Sequence, residues 1–429
     1  MPGTDRARKG KIVTIKHANP AAVSSAASYP YQFTNSKALY DRAKRVIPAG
    51  SEVTRMPRFD DYPIYFTRAK GCRAWDVDGN EFLDFLCSIG PIILGYAYDR
   101  VDAAVRLVME QSFQSPMNTP HQVQLAELLA ETVPSCQKSR FFKTGSEATH
   151  AAVRLARAIT GKEKIARSGY HGWFDLWRKP DMPGVHPGTC APVLPWNRTL
   201  DCLESTLRSD PERFAAVIIC PSEVEPFARE TFQGIIDLAH DHGALAIFDE
   251  VKTGFRPALG GVQEIMQVRP DLTVLSKGIA NGYPLAAVCG PEPVMEQIIN
   301  NPTTGTFNVE ALSLAAAIAT IEELREKDVP SHLMRMGQRL IDGLNEITDS
   351  YGIDAQAFPD PIAAMPNFRF THSDTDRANR AHTAFYSEVI RHGLFLCDWH
   401  MGFTSFSHQE QDIDEALDIC QAALRSLRI

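Results

Sequence analysis

Two neighbouring stretches decide the fold: ALAIFDEVKTGFR (Ala244–Arg256) and TVLSKGIANGYPL (Thr273–Leu285). Each contains a short, continuous apolar run, which is typical of a strand buried on both faces of a mostly parallel sheet. The first run ends on Asp249, and Lys277 follows the second. Because open α/β sheets bind ligands at the carboxyl ends of their strands, we expect both side chains at such a site, where a lysine can form an imine with an aldehyde cofactor.

The chemistry of these two residues supports a catalytic interpretation. A buried carboxylate without a cation is costly, and the sequence around Asp249 offers it no obvious positive partner. A protonated ring nitrogen would balance it and make the ring an electron sink. Partial burial would lower the pKa of Lys277, which favours imine formation and proton transfer. The alternatives are a helix cap or a pair with Arg256 for Asp249, and a surface position for Lys277.

A third motif lies where the strand RFFK runs into Thr144-Gly145-Ser146-Glu147 and a helical pattern. Thr144 and Glu147 form a T-x-x-E capping box, Gly145 allows close backbone approach, and Ser146 adds a hydroxyl beside the free N–H groups of the first turn. This arrangement suits a phosphate. A simple well-capped helix is the alternative.

Further candidates surround this set. Tyr170 lies between two glycines in GYHG, so its ring can cover a planar heterocycle, and His171 is a second candidate cofactor contact. Ordinary packing of either ring is the alternative. Val251 is placed to press on one face of the ring, and Thr306, in TTGTFN, offers a hydroxyl and an N–H to an anion.

Helical patterns alternate with apolar runs between about Leu94 and Cys289, which predicts a large α/β domain. We expect a mobile basic tail over residues 1–35, a segment over 36–90 that joins the small domain, the large cofactor-binding domain over 91–315, and a C-terminal small domain over 316–429. A transit peptide is the alternative interpretation of the tail.

Bulk properties indicate a small-molecule enzyme of the cytoplasm. The formal charge of −8 and pI near 5.9 argue against nucleic acid or an anionic membrane as partner. No apolar run approaches the roughly 18 residues that a membrane helix needs. Nine cysteines without a CxxC pair indicate reduced thiols, and we expect no metal site.

The motifs GSEA, GYHGW, FDEVKTGFR, SKGIANGYP and GTFN occur in the order and at the spacings of the class III aminotransferases of pyridoxal phosphate fold type I, which the chain resembles from about Ser36 onward. The resemblance implies a mostly parallel seven-stranded sheet, a small α+β domain built from both ends of the chain, and a homodimer with the active site at its interface. The site roles that it implies are the imine lysine Lys277, Asp249 on the ring nitrogen, Tyr170 stacked on the ring, Gly145 and Ser146 on the phosphate, and Thr306 on the neighbouring subunit's phosphate.

The segments SIGPIILGY (Ser88–Tyr96) and GLFLCDWHMGFTSFSHQEQDID (Gly393–Asp414) resemble the glutamate-1-semialdehyde aminomutase branch. The leading hypothesis is an aminotransferase that moves an amino group from an amine or amino acid donor to a carbonyl acceptor through Lys277. The alternatives are an aminomutase, which moves the group within one substrate, and a catalytically idle relative.

The substrate pocket departs from the family pattern. Cys220-Pro221 stands where relatives usually have Glu-Pro, and Glu223 or Glu225 could substitute. Residues 398–401 include no arginine to hold an α-carboxylate. The candidate substrate contacts are Arg55, Ser88, Trp399 and His400. Trp173, Trp177 and Trp399 could line an apolar pocket or pack in the core.

Overall fold

The computed structural model describes residues 29–52, 62–111, 113–190 and 193–427. Arg55 and most of the predicted tail lie outside the described residues. Among the described helices, none combines the length and apolar character needed to cross a membrane.

Thirteen strands are described, in chain order: β1 (Phe66–Lys70), β2 (Arg73–Asp76), β3 (Glu81–Asp84), β4 (Lys138–Phe142), β5 (Lys164–Ser168), β6 (Val193–Pro195), β7 (Phe214–Ile219), β8 (Leu245–Asp249), β9 (Leu272–Leu275), β10 (Ala286–Gly290), β11 (Ala355–Pro359), β12 (Pro366–Phe370) and β13 (Leu394–Phe395). The described α-helices are α1 (Thr34–Ala43), α2 (Asp99–Met109), α3 (Pro120–Thr132), α4 (Gly145–Thr160), α5 (Pro187–Cys190), α6 (Leu200–Arg208), α7 (Arg229–Asp241), α8 (Val262–Met266), α9 (Glu292–Met295), α10 (Ala311–Glu326), α11 (Val329–Tyr351), α12 (Thr375–Arg391) and α13 (Glu410–Ser426).

Seven strands form the main sheet in the order β4-β10-β9-β8-β7-β5-β6. The pairs among β5, β6, β7, β8 and β9 are parallel, whereas β10 runs antiparallel to both β4 and β9. The carboxyl ends of all strands except β10 therefore meet at one edge. This confirms the predicted mostly parallel sheet, and the reversed strand follows from the short connection between β9 and β10, which cannot hold a helical crossover.

Helices cover both faces of this sheet. Alternate residues of one strand belong to different cores: Val274 packs with the buried face of α4, while Leu275 packs with α2, α3 and α10. On α4 the apolar residues Ala148, Ala151 and Leu155 are buried, as is typical of a helix packed on a sheet. The start of α4 is thereby fixed at the sheet edge where the strands end.

The small α+β part combines both ends of the chain, as predicted. Strands β1, β2 and β3 form an antiparallel sheet, and C-terminal β13 adds in parallel to β3. The hairpin of β11 and β12 packs with α11, α12 and α13 around a core that includes Phe85, Phe385 and Ile413. The domain boundaries after residues 90 and 315 stay predictions.

The predicted tail extends too far at its C-terminal end. Tyr31 and Phe33 are buried in a cluster with Phe82 and Ile390, and the Tyr31 hydroxyl donates to the carbonyl of Glu81 at 2.6 Å. Aromatic side chains contribute large apolar areas, which explains why this short segment is packed. Residues 29–35 therefore belong to the folded part of the chain.

Candidate active site

The predicted lysine, carboxylate and helix N-terminus meet at the carboxyl edge of the main sheet. Asp249 ends β8, and Lys277 begins a 3-10 turn after β9. A Cβ atom on Gly145, the first residue of α4, would lie 3.0 Å from a methyl group of Val251 and 3.7 Å from Cβ of Ser276. Three loops therefore touch at the site, and Gly145 is the residue that permits this approach.

The N-terminus of α4 has the predicted capping box. The Glu147 carboxylate accepts from the N–H of Thr144 at 2.8 Å, and the Thr144 hydroxyl accepts from the N–H of Glu147 at 3.3 Å. Within the described ranges the N–H groups of Gly145 and Ser146 donate to no protein acceptor. Gly172 has φ +121°, and a Cβ there would lie 2.5 Å from the Ser146 hydroxyl. The GYHG loop therefore packs directly on the helix start.

Asp249 is buried and pairs with a histidine. Its Oδ2 lies 2.7 Å from Nδ1 of His171, and its Oδ1 accepts from the N–H of Val251 at 3.2 Å. The other ring nitrogen of His171 lies 3.1 Å from the carbonyl oxygen of Ser168. Both nitrogens of His171 thus face oxygens, and the ring lies where it holds the carboxylate in place. The structure places His171 as the partner of Asp249.

The alternative pairing of Asp249 with Arg256 is wrong. Arg256 is buried, its guanidinium donates to the carbonyls of Gly90 and Lys252, and it lies 4.6 Å from the centre of the Phe403 ring. Burial lowers the pKa of Arg256 to about 10. The guanidinium of Arg256 thus faces the loop of Gly90 and not the carboxylate of Asp249.

Lys277 adopts φ +46°, a left-handed conformation. Burial, aided by the positive charges of Lys252 and Arg256, lowers the pKa of its amine to about 8, against the opposing effect of Cys220 and Asp249. At a given pH a larger fraction of this amine is neutral than for an ordinary lysine, and the neutral form is the nucleophile. The alternative of an ordinary surface lysine is wrong.

Asn281 fixes the turn that carries Lys277. Its side-chain oxygen accepts from the N–H of Leu94 at 2.9 Å, and its amide donates to the carbonyl of Gly95 at 2.9 Å. These bonds join the turn to the Ser88–Tyr96 segment. The sequence-based prediction missed Asn281, whose only signal is a polar residue inside the otherwise apolar and glycine-containing motif ANGYP.

The aromatic candidates have different surroundings. Tyr170 and Trp173 are 65% and 64% exposed, whereas Trp177 is buried in the core. Tyr170 is therefore not a packing residue of this chain, and its ring is available to another molecule. Trp399 is partly exposed and lies against His400, with ring centres 5.5 Å apart.

His400 lies near the reactive lysine. Its Nδ1 lies 3.0 Å from the carbonyl oxygen of Met401. Burial lowers the pKa of His400 to about 4, against the hydrogen bond with the Met401 carbonyl and together with the charges of Lys277 and Lys252. Its ring is therefore neutral at physiological pH. Ser88 is exposed with φ +56°, and no described contact places its hydroxyl at Lys277.

Thr306 lies before α10 in the chain, but not at its start. Helix α10 begins at Ala311, and the carboxylate of Glu310 caps it by accepting from the N–H groups of Leu312 and Ser313 at 2.8 and 3.1 Å. The intervening turn separates Thr306 from this helix. Thr306 is exposed, and its carbonyl accepts from Gln114 at 2.9 Å.

The departure at Cys220 leaves Glu223 as the acidic group of this strand edge. Burial raises the pKa of the Cys220 thiol to about 11. Glu223, in the turn after Cys220, lies 3.0 Å from Arg198, and its Cδ would lie 3.5 Å from a Cβ on Gly169. Glu225 is 77% exposed and points away, 3.8 Å from Arg198. Of the two candidate substitutes, Glu223 is the one at the strand edge.

Among the described residues, no group of three or more His, Cys, Asp or Glu side chains could hold a metal ion.

The family model for class III aminotransferases matches residues 56–176 and 195–424. The chain belongs to the class III aminotransferases. It is 32% identical over 409 residues to a 3-aminobutyryl-CoA aminotransferase of Cloacimonas acidaminovorans, covering 92% of this chain and 98% of the relative. It is 35% identical over 419 residues to a glutamate-1-semialdehyde 2,1-aminomutase of Syntrophobacter fumaroxidans, covering 89% and 95%.

Solved structures agree with this assignment. The internal aldimine form of the FumI protein of Sphingopyxis, with pyridoxal phosphate, superimposes with a TM-score of 0.85 at 29% identity, covering 92% of this chain and 96% of that one. An omega-transaminase of Sphaerobacter thermophilus gives the same TM-score at 28% identity, covering 92% and 98%. This class III aminotransferase is therefore a fold type I enzyme dependent on pyridoxal phosphate.

The site fits that cofactor. The lowered pKa of the Lys277 amine suits a bond to the cofactor aldehyde. The buried carboxylate of Asp249, which His171 holds, suits a protonated ring nitrogen. The start of α4, with two N–H groups that have no protein acceptor among the described residues, suits the phosphate. Gly172 lets the GYHG loop lie directly against Ser146, beside those two N–H groups.

Proposed function

We propose that Lys277 is the residue that bonds the cofactor and moves protons in this aminotransferase. The observation that carries the proposal is the position of its low-pKa amine at the strand edge where Asp249 and the start of α4 also lie. Pyridoxal phosphate supplies an aldehyde that accepts the amino group and a ring that withdraws electrons. Once released, the Lys277 amine takes a proton from the substrate carbon and returns it during transfer.

The other candidate residues divide into binding and positioning roles. Asp249 would keep the ring nitrogen of the cofactor protonated. His171 orients the Asp249 carboxylate through the contact between its Nδ1 and Oδ2 of Asp249. Gly145 and Ser146 bind the phosphate through the helix start. Val251 and the exposed Tyr170 would hold the cofactor ring from its two faces.

We propose a homodimer whose interface closes the site. Support comes from exposed apolar groups beside the Thr306 segment: Phe307 and Phe113 border a cavity of about 370 Å³ that also includes the Lys143–Glu310 ion pair. Large exposed apolar patches commonly mark interfaces. Thr306 would then reach the partner's phosphate. Sedimentation equilibrium, with Phe307→Glu as the disrupting variant, tests the dimer, and a wild-type monomer at enzyme-assay concentration contradicts it.

We propose a cytoplasmic location. All nine cysteines are free thiols, and every one except Cys202 is buried, as is common for reduced cysteines inside a folded core. Fractionation of cells that express the tagged chain tests this location.

The aminotransferase roles are tested with Lys277→Ala. The purified variant should retain the fold by circular dichroism but lose the visible cofactor change on addition of an amine, and borohydride should no longer fix cofactor to the protein. Lys37→Ala, an exposed lysine on α1, serves as the matched control. Wild-type turnover by Lys277→Ala refutes the assignment.

An aminomutase is the second candidate, because relatives at 32–35% identity over most of the chain carry that name. Incubation of the holoenzyme with one amino aldehyde and no second substrate discriminates the two reactions. Rearranged product from that single compound supports the aminomutase, whereas a strict need for a carbonyl acceptor supports the aminotransferase.

A further inference from the structure

Lys252 is an unassigned cation beside the reactive lysine. It lies in the loop directly after β8, three residues beyond Asp249, and its side chain is only 16% exposed. Its Nζ lies 3.8 Å from Oε1 of Glu223, and within the described part of the chain this amine forms no other ion pair or hydrogen bond. A largely buried ammonium is therefore held by one long contact.

Glu223 pairs with Arg198 as well as with Lys252. Its Oε2 lies 3.0 Å from Arg198, the shorter and better of its two pairs. At 3.8 Å the contact between Lys252 and Glu223 is longer than a hydrogen bond, so it leaves the three N–H donors of the ammonium unpaired among the described residues. The Lys252 ammonium can therefore donate hydrogen bonds to a bound anion.

Lys252 directly follows Val251, whose methyl group would lie 3.0 Å from a Cβ atom on Gly145, so the segment that carries Lys252 contacts the start of α4. The charge of Lys252 acts on Lys277, on His400 and on Cys220, which lie on three different segments. The nearby guanidinium of Arg256 is buried against Phe403 and adds positive charge without being accessible. Both positive charges therefore act on Lys277, and of the two cations Lys252 is the one whose side chain is partly exposed.

Resting on the proposed function, we propose that Lys252 binds a carboxylate of the amino substrate, so that the enzyme acts on amines that carry an acid group in preference to simple amines. Glu223 contacts the same ammonium when no substrate is bound and is displaced by the substrate's acid. Lys252 thereby supplies the cation that residues 398–401 lack.

The test uses matched pairs of donors that differ only in the acid. Alanine, 3-aminobutanoate and 4-aminopentanoate are compared with isopropylamine, 2-aminobutane and 2-aminopentane, in which a methyl group replaces the carboxylate. Each compound is titrated alone into the holoenzyme, and the half-saturation of the change in the visible cofactor band is measured. The series also reports the spacing between amine and acid.

We expect wild type to favour at least one acid over its partner amine. Lys252→Met should raise the half-saturation concentration for that acid by roughly 10- to 100-fold, the usual effect of one hydrogen bond to a charged group, while the partner amine changes far less. Lys252→Arg should restore much of the preference. Glu223→Gln should strengthen acid binding, because it removes the competing carboxylate. Lys37→Met is the control for loss of a lysine charge.

Two results overturn the proposal: a wild type that favours no acid over its partner, or a Lys252→Met variant that weakens both members of a pair equally. Thermal unfolding and the cofactor band of each variant show that it is folded and loaded. Failure of the proposed function gives a different result, because borohydride then fixes no cofactor to Lys277 in wild type. Trapping at Lys277 without any acid preference refutes only the role of Lys252.

Discussion

Replacing Gly172 by alanine should weaken cofactor binding by a steric route. Gly172 has φ +121°, which L residues rarely adopt, and its Cβ would lie 2.5 Å from the Ser146 hydroxyl, 2.8 Å from Ser146 Cβ and 3.0 Å from Ser146 Cα. Two of these contacts involve atoms that a rotation of the hydroxyl cannot relieve. The added methyl group must therefore push the GYHG loop off the start of α4.

The magnitude follows from two contributions. The unfavourable backbone conformation costs about 1–3 kcal/mol, and overpacking against the helix start costs about 1–3 kcal/mol. A displaced Ser146 would lose the phosphate contact proposed for it, so the cofactor dissociation constant should rise roughly 10- to 100-fold. The assays are equilibrium denaturation of the cofactor-free protein and titration of that protein with pyridoxal phosphate.

Gly161→Ala is the matched control. Gly161 ends the same helix with φ +66°, and no atom lies within 4 Å of the position that its Cβ would occupy. It should cost about 1–2 kcal/mol of stability through the left-handed conformation alone, with no change in cofactor affinity. Equal effects of the two variants on cofactor affinity would refute the reasoning, because the contact with Ser146 would then be irrelevant.

Three further predictions concern protonation and the lysine turn. In the cofactor-free protein the Lys277 amine should titrate near pH 8, which the pH dependence of its chemical labelling measures. Lys252→Met should raise that midpoint, because it removes a positive charge near the amine. A wild-type midpoint near 10.5, the ordinary value for a lysine, contradicts the prediction. His408 is buried with its pKa lowered to about 4, so the unfolded chain binds a proton that the folded chain refuses, and stability is lost as the pH falls from 6.5 towards 4. His408→Gln should remove about 2 kcal/mol of the stability difference between pH 7 and pH 5, measured by urea denaturation, and an unchanged difference refutes the assignment. Asn281→Ala leaves two buried backbone groups of residues 88–96 unpaired and should cost about 2–4 kcal/mol, whereas a loss below measurement error contradicts the role of Asn281 in fixing the turn.

The sequence by itself determined the buried strands and the chemical groups at their ends. Apolar runs predicted β4, β8 and β9. The capping box of α4, Asp249 and Lys277, which stand at the ends of these strands, lie at one edge of the sheet as expected. This worked because each signal is local: a strand, its end and the next polar residue are read within a few positions.

Partners that are distant in the chain were decided only by the tertiary structure. His171 and Asp249 are 78 positions apart, and Asn281 and Leu94 are 187 apart, yet each pair is hydrogen-bonded. The sheet order brings the first pair together, since β5 and β8 are separated by only one strand. A sequence shows which groups need partners, but not which loops the strand order makes neighbours.

Contacts between distant segments also explain why Lys252 and Arg256 have different surroundings. Both stand in one turn of FDEVKTGFR, and no local pattern assigns them different surroundings. In the fold, Arg256 stacks on Phe403 from the C-terminal segment, while Lys252 faces Glu223 from the loop after β7. The sequence shows that both residues are cations. Packing between segments that are distant in the chain determines that Arg256 is buried in the core and that Lys252 remains available to a ligand.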